Sequence, residues 1–298
     1  PMLLGGTVVT TSKLGLNPDK LLTMVEDHGV TDMVIVGDAF ARPILAALDE
    51  AEKRGTPYRL ESLKQVVSSG VMWSTEIKQG LLRHHDMVLA DVMGSTEGGM
   101  GSSVMTREAA ASTAKFELNE GVAVITDDDR MVQPGSGEMG KIATSSFVPL
   151  GYYKDPEKSA ATFREVNGVR YSFPGDYATV EADGSITLLG RGSVCINTAG
   201  EKVFPEEVEE AVKRHECIED CLVVGLPDER FGERVVAVAS IHENAKVSPD
   251  DVMGFTAEHL AGYKQPRQVL LVEEVRRAPN GKADYKWAKA FAEKAFVE

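Results

Sequence analysis

The chain has 298 residues, of which 46 are acidic and 32 basic, giving a formal net charge of −14. Its hydrophobic content of 43% excludes a disordered chain, and its length predicts about two domains. The excess of carboxylates excludes a protein that coats nucleic acid or an anionic membrane surface, because both need basic patches. Small anionic ligands need only a few well-placed cations and are compatible with this charge.

The three cysteines, Cys195, Cys217 and Cys221, are too few for a disulfide framework and predict buried, reduced thiols in a cytoplasmic protein. Cys217 and Cys221 would share one face if their segment were helical. No apolar run reaches the length of a transmembrane segment, and the N-terminus lacks the pattern of a signal peptide. The apolar start at Pro1 indicates a beginning inside a domain.

Helical and extended patterns alternate over the first 110 residues. The spacing predicts helices over residues 18–28, 40–54 and 74–84, the last with Ser74 as its N-cap. Strands are predicted over residues 31–36, up to the turn at 68–70, and over 87–91. This alternation is typical of a sheet layered with helices.

The pattern changes after residue 110. Residues 111–190 carry short strands broken by Gly, Pro, Asn and Asp, which predict antiparallel hairpins in a small barrel or a distorted sheet. From residue 191 we expect a compact α+β unit. Its predicted strands flank the turn at 198–200 and cover 221–225, 235–241 and 269–272, and its helices cover 205–215, 248–260 and 284–296. The fold class is therefore α/β followed by α+β, with domains over residues 1–190 and 191–298.

A glycine-rich turn follows the predicted strand over residues 87–91. Within residues 94–99, Thr96 offers a hydroxyl group and Glu97 a hard oxygen that can hold Mg²⁺ against a phosphate. Open sheets bind ligands at such strand ends, but a plain turn explains the glycines equally well. A second turn, with Ser69 and Gly70, would join it in one crevice if the two strands are neighbours.

Three further residues carry suitable chemistry but, taken singly, fit turns or solvated side chains. Asp176 could accept hydrogen bonds from ribose hydroxyls, and Arg191, between two glycines, offers a planar fork of donors. Lys282 follows a Pro-Asn-Gly turn, where an ammonium could meet developing negative charge. His84, His85 and Asp86 are adjacent, so their side chains diverge and do not predict a shared metal site.

Taken together, these segments have the order and spacing of one family. The chain resembles the adenylate-forming superfamily, which includes acyl-CoA synthetases, luciferase-type enzymes and the adenylation domains of peptide synthetases. The segments that carry the resemblance are MGSTEGG, GYYKDPEKSAATF, PGDYATVEADGSITLLGR, TAGEKVFPEEVEEAV, LAGYKQP and PNGKADY.

The resemblance implies a two-step reaction in which a carboxylate and ATP form an acyl adenylate, and CoA then takes the acyl group and releases AMP. It implies that Thr96 and Glu97 manage phosphate and Mg²⁺, and that Lys282 stabilises charge in the first step only. The C-terminal domain would rotate between the steps, with Ser193 at the hinge and the loop around Gly200 facing the CoA thiol. Asp176 and Arg191 would bind ribose, and adenine and AMP would be held by Ser69, Gly70, Val71, Asp91, Val92, Met93, Gly94 and Ser95.

Some family features differ. Met93 replaces the usual adenine-stacking aromatic residue, and Pro174 replaces Thr. The family's phosphate loop belongs upstream of Pro1, so residues 1–190 resemble the second half of the large N-terminal domain, and we expect weak or no activity from this chain alone. The motifs are most similar to those of actinobacterial fatty-acid or steroid-side-chain acyl-CoA synthetases. A ligase that loads a carrier protein and a non-catalytic nucleotide-binding fragment are the alternatives, and a homodimer is left open.

Overall fold

The computed structural model describes residues 5–10 and 15–296, which form two compact units. One unit comprises Pro1–Asn119 and Pro279–Lys282, and the other comprises Glu120–Ala278 and Ala283–Glu298. The first unit layers helices on a sheet, and the second combines antiparallel strands with a C-terminal α+β region, so the predicted fold class is confirmed. The domain boundary at residue 191 stays a prediction.

Within its described residues, the first unit has three helices: α1 (Pro18–His28), α2 (Gly37–Lys53) and α3 (Thr75–His84). The predicted bounds of α1 are confirmed because local signals set them. The Asn17 side chain accepts from the Lys20 amide, and Gly29 adopts the left-handed conformation that ends the helix. Helix α2 begins three residues before its predicted start at residue 40. Its first turn is held by hydrogen bonds to residues distant in sequence, which periodicity does not reveal.

In the part of the first unit that the structure describes, the sheet has five strands in sequential order: β1 (Asp32–Ile35), β2 (Gln65–Ser68), β3 (Val88–Ser95), β4 (Gly98–Met105) and β5 (Lys115–Leu118). The first three strands are parallel, and β3, β4 and β5 are antiparallel neighbours. The core lies on the face that packs against the helices, where Ile35, Val66 and Leu89 meet Ile44 and Leu81. The parallel register of β2 and β3 places Ser68, at the end of β2, beside Asp91 in the middle of β3.

The second unit begins with antiparallel hairpins, as predicted. Its strands follow the order β11-β10-β7-β9-β8, and β6 also pairs with β7. Helix α4 starts after Asp155, whose side chain accepts from the Lys158 amide. These elements are β6 (Val122–Ile125), β7 (Met139–Thr144), α4 (Pro156–Thr162), β8 (Phe163–Val166), β9 (Val169–Ser172), β10 (Asp176–Val180) and β11 (Ile186–Arg191).

The C-terminal part of the second unit is a mixed sheet in the order β13-β12-β15-β14, with β16 parallel to β15. Two apolar clusters involve this sheet: one includes residues of α5 and α6, the other residues of α7. The elements are β12 (Ile196–Thr198), β13 (Glu201–Val203), α5 (Pro205–Lys213), β14 (Ile218–Asp228), β15 (Gly232–Ile241), α6 (Pro249–Ala257), β16 (Gln268–Val272) and α7 (Tyr285–Ala295).

Strands β14 and β15 are longer than the sequence predicts because they form one continuous hairpin ladder that reaches Asp228 and Gly232. The cysteine segment is therefore not helical: Cys217 lies in the turn before β14 and Cys221 on the strand. Cys221 is buried on β14, and its thiol and those of Cys195 and Cys217 are free. Over the part of the chain that the structure describes, no helix combines the length and the apolar character that a membrane span needs.

Candidate active site

The loop that carries Ser69, Gly70 and Val71 is fixed at both of its ends. Ser68, at the end of β2, is the parallel neighbour of Asp91 on β3, which confirms that the two predicted strand ends are adjacent. The Ser68 Oγ accepts a hydrogen bond of 2.9 Å from the Gly37 amide. A Cβ on Gly37 would lie 2.6 Å from the Val71 carbonyl oxygen, so only glycine lets α2 start this close to the loop.

The other end of this loop is held by Asp38, in the first turn of α2. Its carboxylate accepts hydrogen bonds from the Ser74 amide at 2.9 Å and from the Ser74 hydroxyl at 2.8 Å. Asp38 is 4% exposed, so water does not compete for these bonds. Asp38 thus positions the loop without belonging to any motif that the sequence singled out.

The glycine-rich segment at residues 94–99 is a β-hairpin, and its interpretation as a turn after the strand was wrong. Strand β3 runs on to Ser95 and β4 begins at Gly98, so only Thr96 and Glu97 form the turn. Thr96 is exposed at the tip, and the Glu97 amide donates to the Ser95 hydroxyl at 3.2 Å. Glycine usually breaks strands, but here it allows close strand pairing: a Cβ on Gly101 would lie 2.5 Å from the Glu117 carbonyl oxygen.

The stretch from Asp91 to Ser95 has two faces, because side chains alternate along a strand. Asp91 and Met93 are buried, with 5% and 7% exposure, and Val92 and Gly94 are exposed. The Met93 methyl carbon lies 3.5 Å from the position that a Cβ on Gly101 would occupy. The predicted contact of Met93 with adenine stays a prediction, and the described geometry places this side chain within the sheet.

The Asp91 carboxylate forms a buried ion pair. Its Oδ2 lies 3.2 Å from the ammonium nitrogen of Lys78, which is 1% exposed and lies 5.1 Å from the centre of the Trp73 ring. Burial raises the pKa of Asp91 to about 6, against the opposing effect of the Lys78 charge. Sequence reasoning missed Lys78, and the available signal was a lysine three and four residues before the apolar Leu81 and Leu82 of α3.

Lys282 lies beside the predicted adenine loop. The segment Pro279–Lys282 belongs to the first unit, and a Cβ on Gly70 would be 3.4 Å from the Lys282 Cε. The turn is fixed by Gly281, whose φ is +79° and whose missing Cβ leaves room for the Phe40 ring. The Lys282 amide donates to the Asn280 side chain at 3.2 Å, and the lysine side chain is exposed. The structure therefore brings together two predicted residues that are 212 positions apart in the sequence.

The predicted ribose residues form a pair within the second unit. Asp176 starts β10 and Arg191 ends β11, and they are cross-strand partners. The Arg191 Nε donates to the Asp176 Oδ1 at 3.3 Å, and the arginine side chain remains 54% exposed. A planar guanidinium and a carboxylate at one sheet end could both meet a sugar bearing a phosphate.

The glycines around Arg191 allow close packing as well as flexibility. Gly190 has a φ of +140° and lies against the carboxyl group of Glu206, whose Cδ would be 2.8 Å from a Cβ at this position. A Cβ on Gly192 would be 2.7 Å from the Tyr177 ring. The predicted CoA-facing loop is a two-residue turn in which Ala199 and Gly200 have φ values of 53° and 85°.

Helix α5 carries two buried carboxyl groups that the sequence analysis did not single out. Burial raises the pKa of Glu206 to about 7. Burial, with the Glu206 charge, raises the pKa of Glu209 to about 8, and the Val223 amide donates to Glu209 at 2.9 Å. Burial also raises the pKa of Tyr285. Sequence alone shows four acidic residues in this helix and cannot show which of them face inwards.

Among the residues that the structure describes, one group of three could hold a metal ion: Asp49, Glu52 and His84. The His84 Nε2 lies 2.7 Å from Asp49, while its Nδ1 lies 3.4 Å from Glu52. The carboxylates thus occupy opposite edges of the imidazole, which suits an ion-pair bridge between α2 and α3 better than a chelate.

Glu97 offers one carboxylate in an accessible turn, which fits Mg²⁺ because this ion usually binds through one or two carboxylates together with substrate phosphates.

Family models match both parts of the sequence. Residues 1–153, just over half of the chain, match the AMP-binding enzyme model, and residues 207–282 match the AMP-binding enzyme C-terminal domain. The chain belongs to the AMP-binding enzyme family. This membership confirms the adenylate-forming resemblance that the six sequence segments predicted.

Curated relatives carry the names of CoA ligases. A 3-oxocholest-4-en-26-oate–CoA ligase from Rhodococcus rhodochrous is 44% identical, with the alignment covering 97% of this chain and 55% of the relative. A medium/long-chain-fatty-acid and 3-oxocholest-4-en-26-oate–CoA ligase from Mycolicibacterium smegmatis is also 44% identical, covering 97% and 53%. The chain spans about half the length of the curated relatives it matches.

Solved structures show the same fold. The anthranilate CoA ligase AuaEII in complex with anthranoyl-AMP matches with a TM-score of 0.79 at 22% identity, over 94% of this chain and 53% of that one. ATP-bound MatB from Rhodopseudomonas palustris matches with a TM-score of 0.76 at 21% identity, over 93% and 53%.

Proposed function

We propose that this chain supplies the adenylate-binding and thioester-forming part of an AMP-forming acyl-CoA synthetase that acts on a fatty or steroid carboxylate. The observation that carries the proposal is the position of Lys282 beside Gly70, because it joins the last motif of the chain to the predicted adenine loop. The substrate class rests on the names of the relatives, which are ligases of fatty acids and of a steroid carboxylate.

In the first step, the substrate carboxylate attacks the α-phosphorus of ATP, the bond to the β-phosphate breaks, and pyrophosphate leaves. The exposed ammonium of Lys282 is a compact charge that would stabilise the negative charge on the carboxylate and the α-phosphate. Thr96, at the hairpin tip, would donate to a phosphate oxygen. Mg²⁺, when held by Glu97, neutralises charge on the phosphates.

In the second step, the CoA thiolate attacks the acyl carbon, and AMP leaves with its phosphate oxygen. Asp176 and Arg191 would hold the ribose of the nucleotide through both steps, which keeps the adenylate in place while the thiol enters. Gly200 has no side chain and is exposed, so its backbone groups would be accessible to the CoA arm. Movement of Lys282 away from the site between the steps is part of this proposal.

The chain's coverage of only about half of each relative favours one further possibility for the isolated chain, namely nucleotide binding without efficient adenylation. We therefore separate the two half-reactions. The purified chain is given palmitoyl adenylate or a steroid-carboxyl adenylate together with CoA, and acyl-CoA and AMP are measured by chromatography and mass spectrometry.

We expect acyl-CoA and AMP in equal amounts, formed faster than the same chain forms adenylate from ATP and the carboxylate. Transfer of the acyl group to a carrier-protein thiol with none to CoA would favour the carrier-loading ligase. Acyl-CoA formation no faster than in the absence of protein would contradict the proposed second step.

A further inference from the structure

The carboxyl group of Glu206 packs against the backbone of Gly190 and Arg191, the last two residues of β11. Glu206 lies in the first turn of α5, and its Oε1 accepts from the Arg191 amide at a donor–acceptor distance of 3.5 Å. Its Oε2 occupies the space where a Cβ of residue 190 would be, which is free only because residue 190 is glycine. The contact is therefore one of shape as well as of hydrogen bonding.

The surroundings of Glu206 disfavour its charge. Oε2 is buried and has no hydrogen-bond partner among the described residues. Facing groups are Asp176 on β10 and Arg191 on β11. Glu209 on α5, Tyr285 on α7 and the Cys195 thiol before β12 also interact with it. Burial and Asp176 raise the pKa of Glu206 to about 7, while the backbone amides and the Arg191 guanidinium oppose this rise.

We propose that Glu206 is a positioning residue: its neutral carboxyl group, packed on Gly190, holds the Gly190–Arg191 backbone and keeps the Arg191 guanidinium beside Asp176, and its ionisation releases this backbone. The direction follows from linkage. A raised pKa means that the seated arrangement binds the proton more tightly than an arrangement in which Glu206 is solvated. The seated arrangement is therefore favoured at low pH and loses its advantage as the pH rises through about 7.

The consequence for nucleotide binding rests on the proposed function, since Arg191 and Asp176 are the residues assigned to ribose. If this backbone loosens as Glu206 ionises, Arg191 and Asp176 would bind ribose more weakly above neutral pH. It would also free the segment at which the C-terminal part is predicted to turn between the two steps. The side-chain amide of Gln in a Glu206→Gln variant has the same shape and stays neutral, so it should keep the backbone held at every pH.

The test measures hydrogen exchange of the Arg191 backbone amide by NMR at pH 6 and pH 8, expressed as a protection factor so that the intrinsic pH dependence cancels. In the unmodified chain we expect protection to fall by up to about tenfold, which is the change that one pH unit above the pKa permits. Glu206→Gln should abolish this fall. Glu206→Ala should lower protection at both pH values, because it removes the packing.

The matched control is Glu207→Gln on the same helical turn. Glu207 pairs with Lys264 at 2.7 Å and does not contact Gly190, so its removal should leave the pH dependence at Arg191 unchanged. Equal loss of the pH dependence in both variants would overturn the proposal, as would constant protection in the unmodified chain. The second outcome needs no variant, so it applies even if Glu206→Gln fails to fold.

Binding of AMP, measured in parallel by calorimetry, separates the two proposals. If the amide behaves as expected and AMP does not bind, the positioning role stands and the proposed function fails. If AMP binds and Glu206→Gln reduces the pH dependence of its affinity, both stand. If AMP binds but exchange at Arg191 does not depend on Glu206, the positioning role is wrong.

Discussion

At the scale of single residues, the stability of the fold is most sensitive to the buried pair formed by Lys78 and by Asp91 of the predicted adenine strand. Both side chains are almost fully buried, so removing one charge leaves the other without compensation. We expect Lys78→Met, which leaves the Asp91 carboxyl group buried without its partner, to lower the free energy of unfolding at pH 7 by about 3 to 5 kcal/mol. Urea denaturation followed by circular dichroism measures this change.

The double variant Lys78→Met/Asp91→Asn supplies the control, because it removes both charges. It should recover most of the stability that the single variant loses, since uncharged groups carry no such desolvation cost. A double variant as unstable as Lys78→Met would show that the loss comes from packing and not from charge.

The pH dependence of the free energy of unfolding tests the raised pKa of Asp91 independently. Its folded-state pKa is raised from 3.8 to about 6, so its contribution to the free energy of unfolding is fully present below pH 4. This contribution is lost as the pH rises from about 4 through about 6. Asp91→Asn should therefore flatten the profile of unfolding free energy in this window. An unchanged slope would mean that Asp91 titrates at an ordinary pKa.

A substitution of Lys282 tests which of the two half-reactions this residue serves. We expect Lys282→Ala to slow adenylate formation by about 10²- to 10³-fold, the usual effect of removing one electrostatic contact to a transition state. Acyl transfer from a supplied adenylate should change little. Lys286→Ala, on the exposed side of α7, is the matched control. Equal losses in both half-reactions would contradict a role confined to the first step.

At the scale of elements, the backbone of β4 packs closely against that of β5 at Gly101, so glycine serves inside a strand here and does not end it. Gly101→Ala would place a methyl group 2.5 Å from the Glu117 carbonyl oxygen, where neither strand can give way. We expect a loss of about 1 to 3 kcal/mol in unfolding free energy. Gly254→Ala, on α6 with open space around its Cα, should instead stabilise by about 0.5 to 1 kcal/mol. Thermal unfolding of the two variants compares them, and similar shifts would contradict the close contact.

Local signals predicted the elements well where they act alone. Asn17, Pro18 and Gly29 define α1 from neighbouring residues, and Ser248 with Asp251 forms a capping box at the start of α6. The early start of α2 depends on hydrogen bonds from Ser74, 36 residues away from Asp38. Such bonds leave no periodic pattern, and for this reason the sequence did not predict them.

The candidate site divides in the same way. Motif order predicted Ser69, Thr96, Asp176, Arg191 and Lys282, because spacing along the chain is visible in the sequence. The residues that hold them, Asp38, Lys78 and Glu206, lie on helix faces whose inward direction is decided by packing. A charged residue among apolar positions of a helix is the one signal that could have found Lys78.

At the scale of the whole molecule, the family models match residues 1–153 and 207–282, whereas the relatives are about twice as long as the chain. This difference leads us to expect that the chain alone exchanges pyrophosphate into ATP slowly. Robust exchange, measured with labelled pyrophosphate and a long-chain carboxylate, would show that the chain needs no further phosphate-binding element. A cytoplasmic location stays a prediction.

The central claim is that this chain contains an adenylate site in which Asp176 binds the ribose. Calorimetric titration with AMP tests it most directly, using Asp176→Asn and, as control, Asp183→Asn in the turn between β10 and β11. We expect one AMP to bind saturably. Asp176→Asn should weaken this binding about tenfold, which is the effect of losing about 1.4 kcal/mol of hydrogen bonding. Asp183→Asn should leave the affinity unchanged. Absence of AMP binding, or equal affinities in all three proteins, would contradict it.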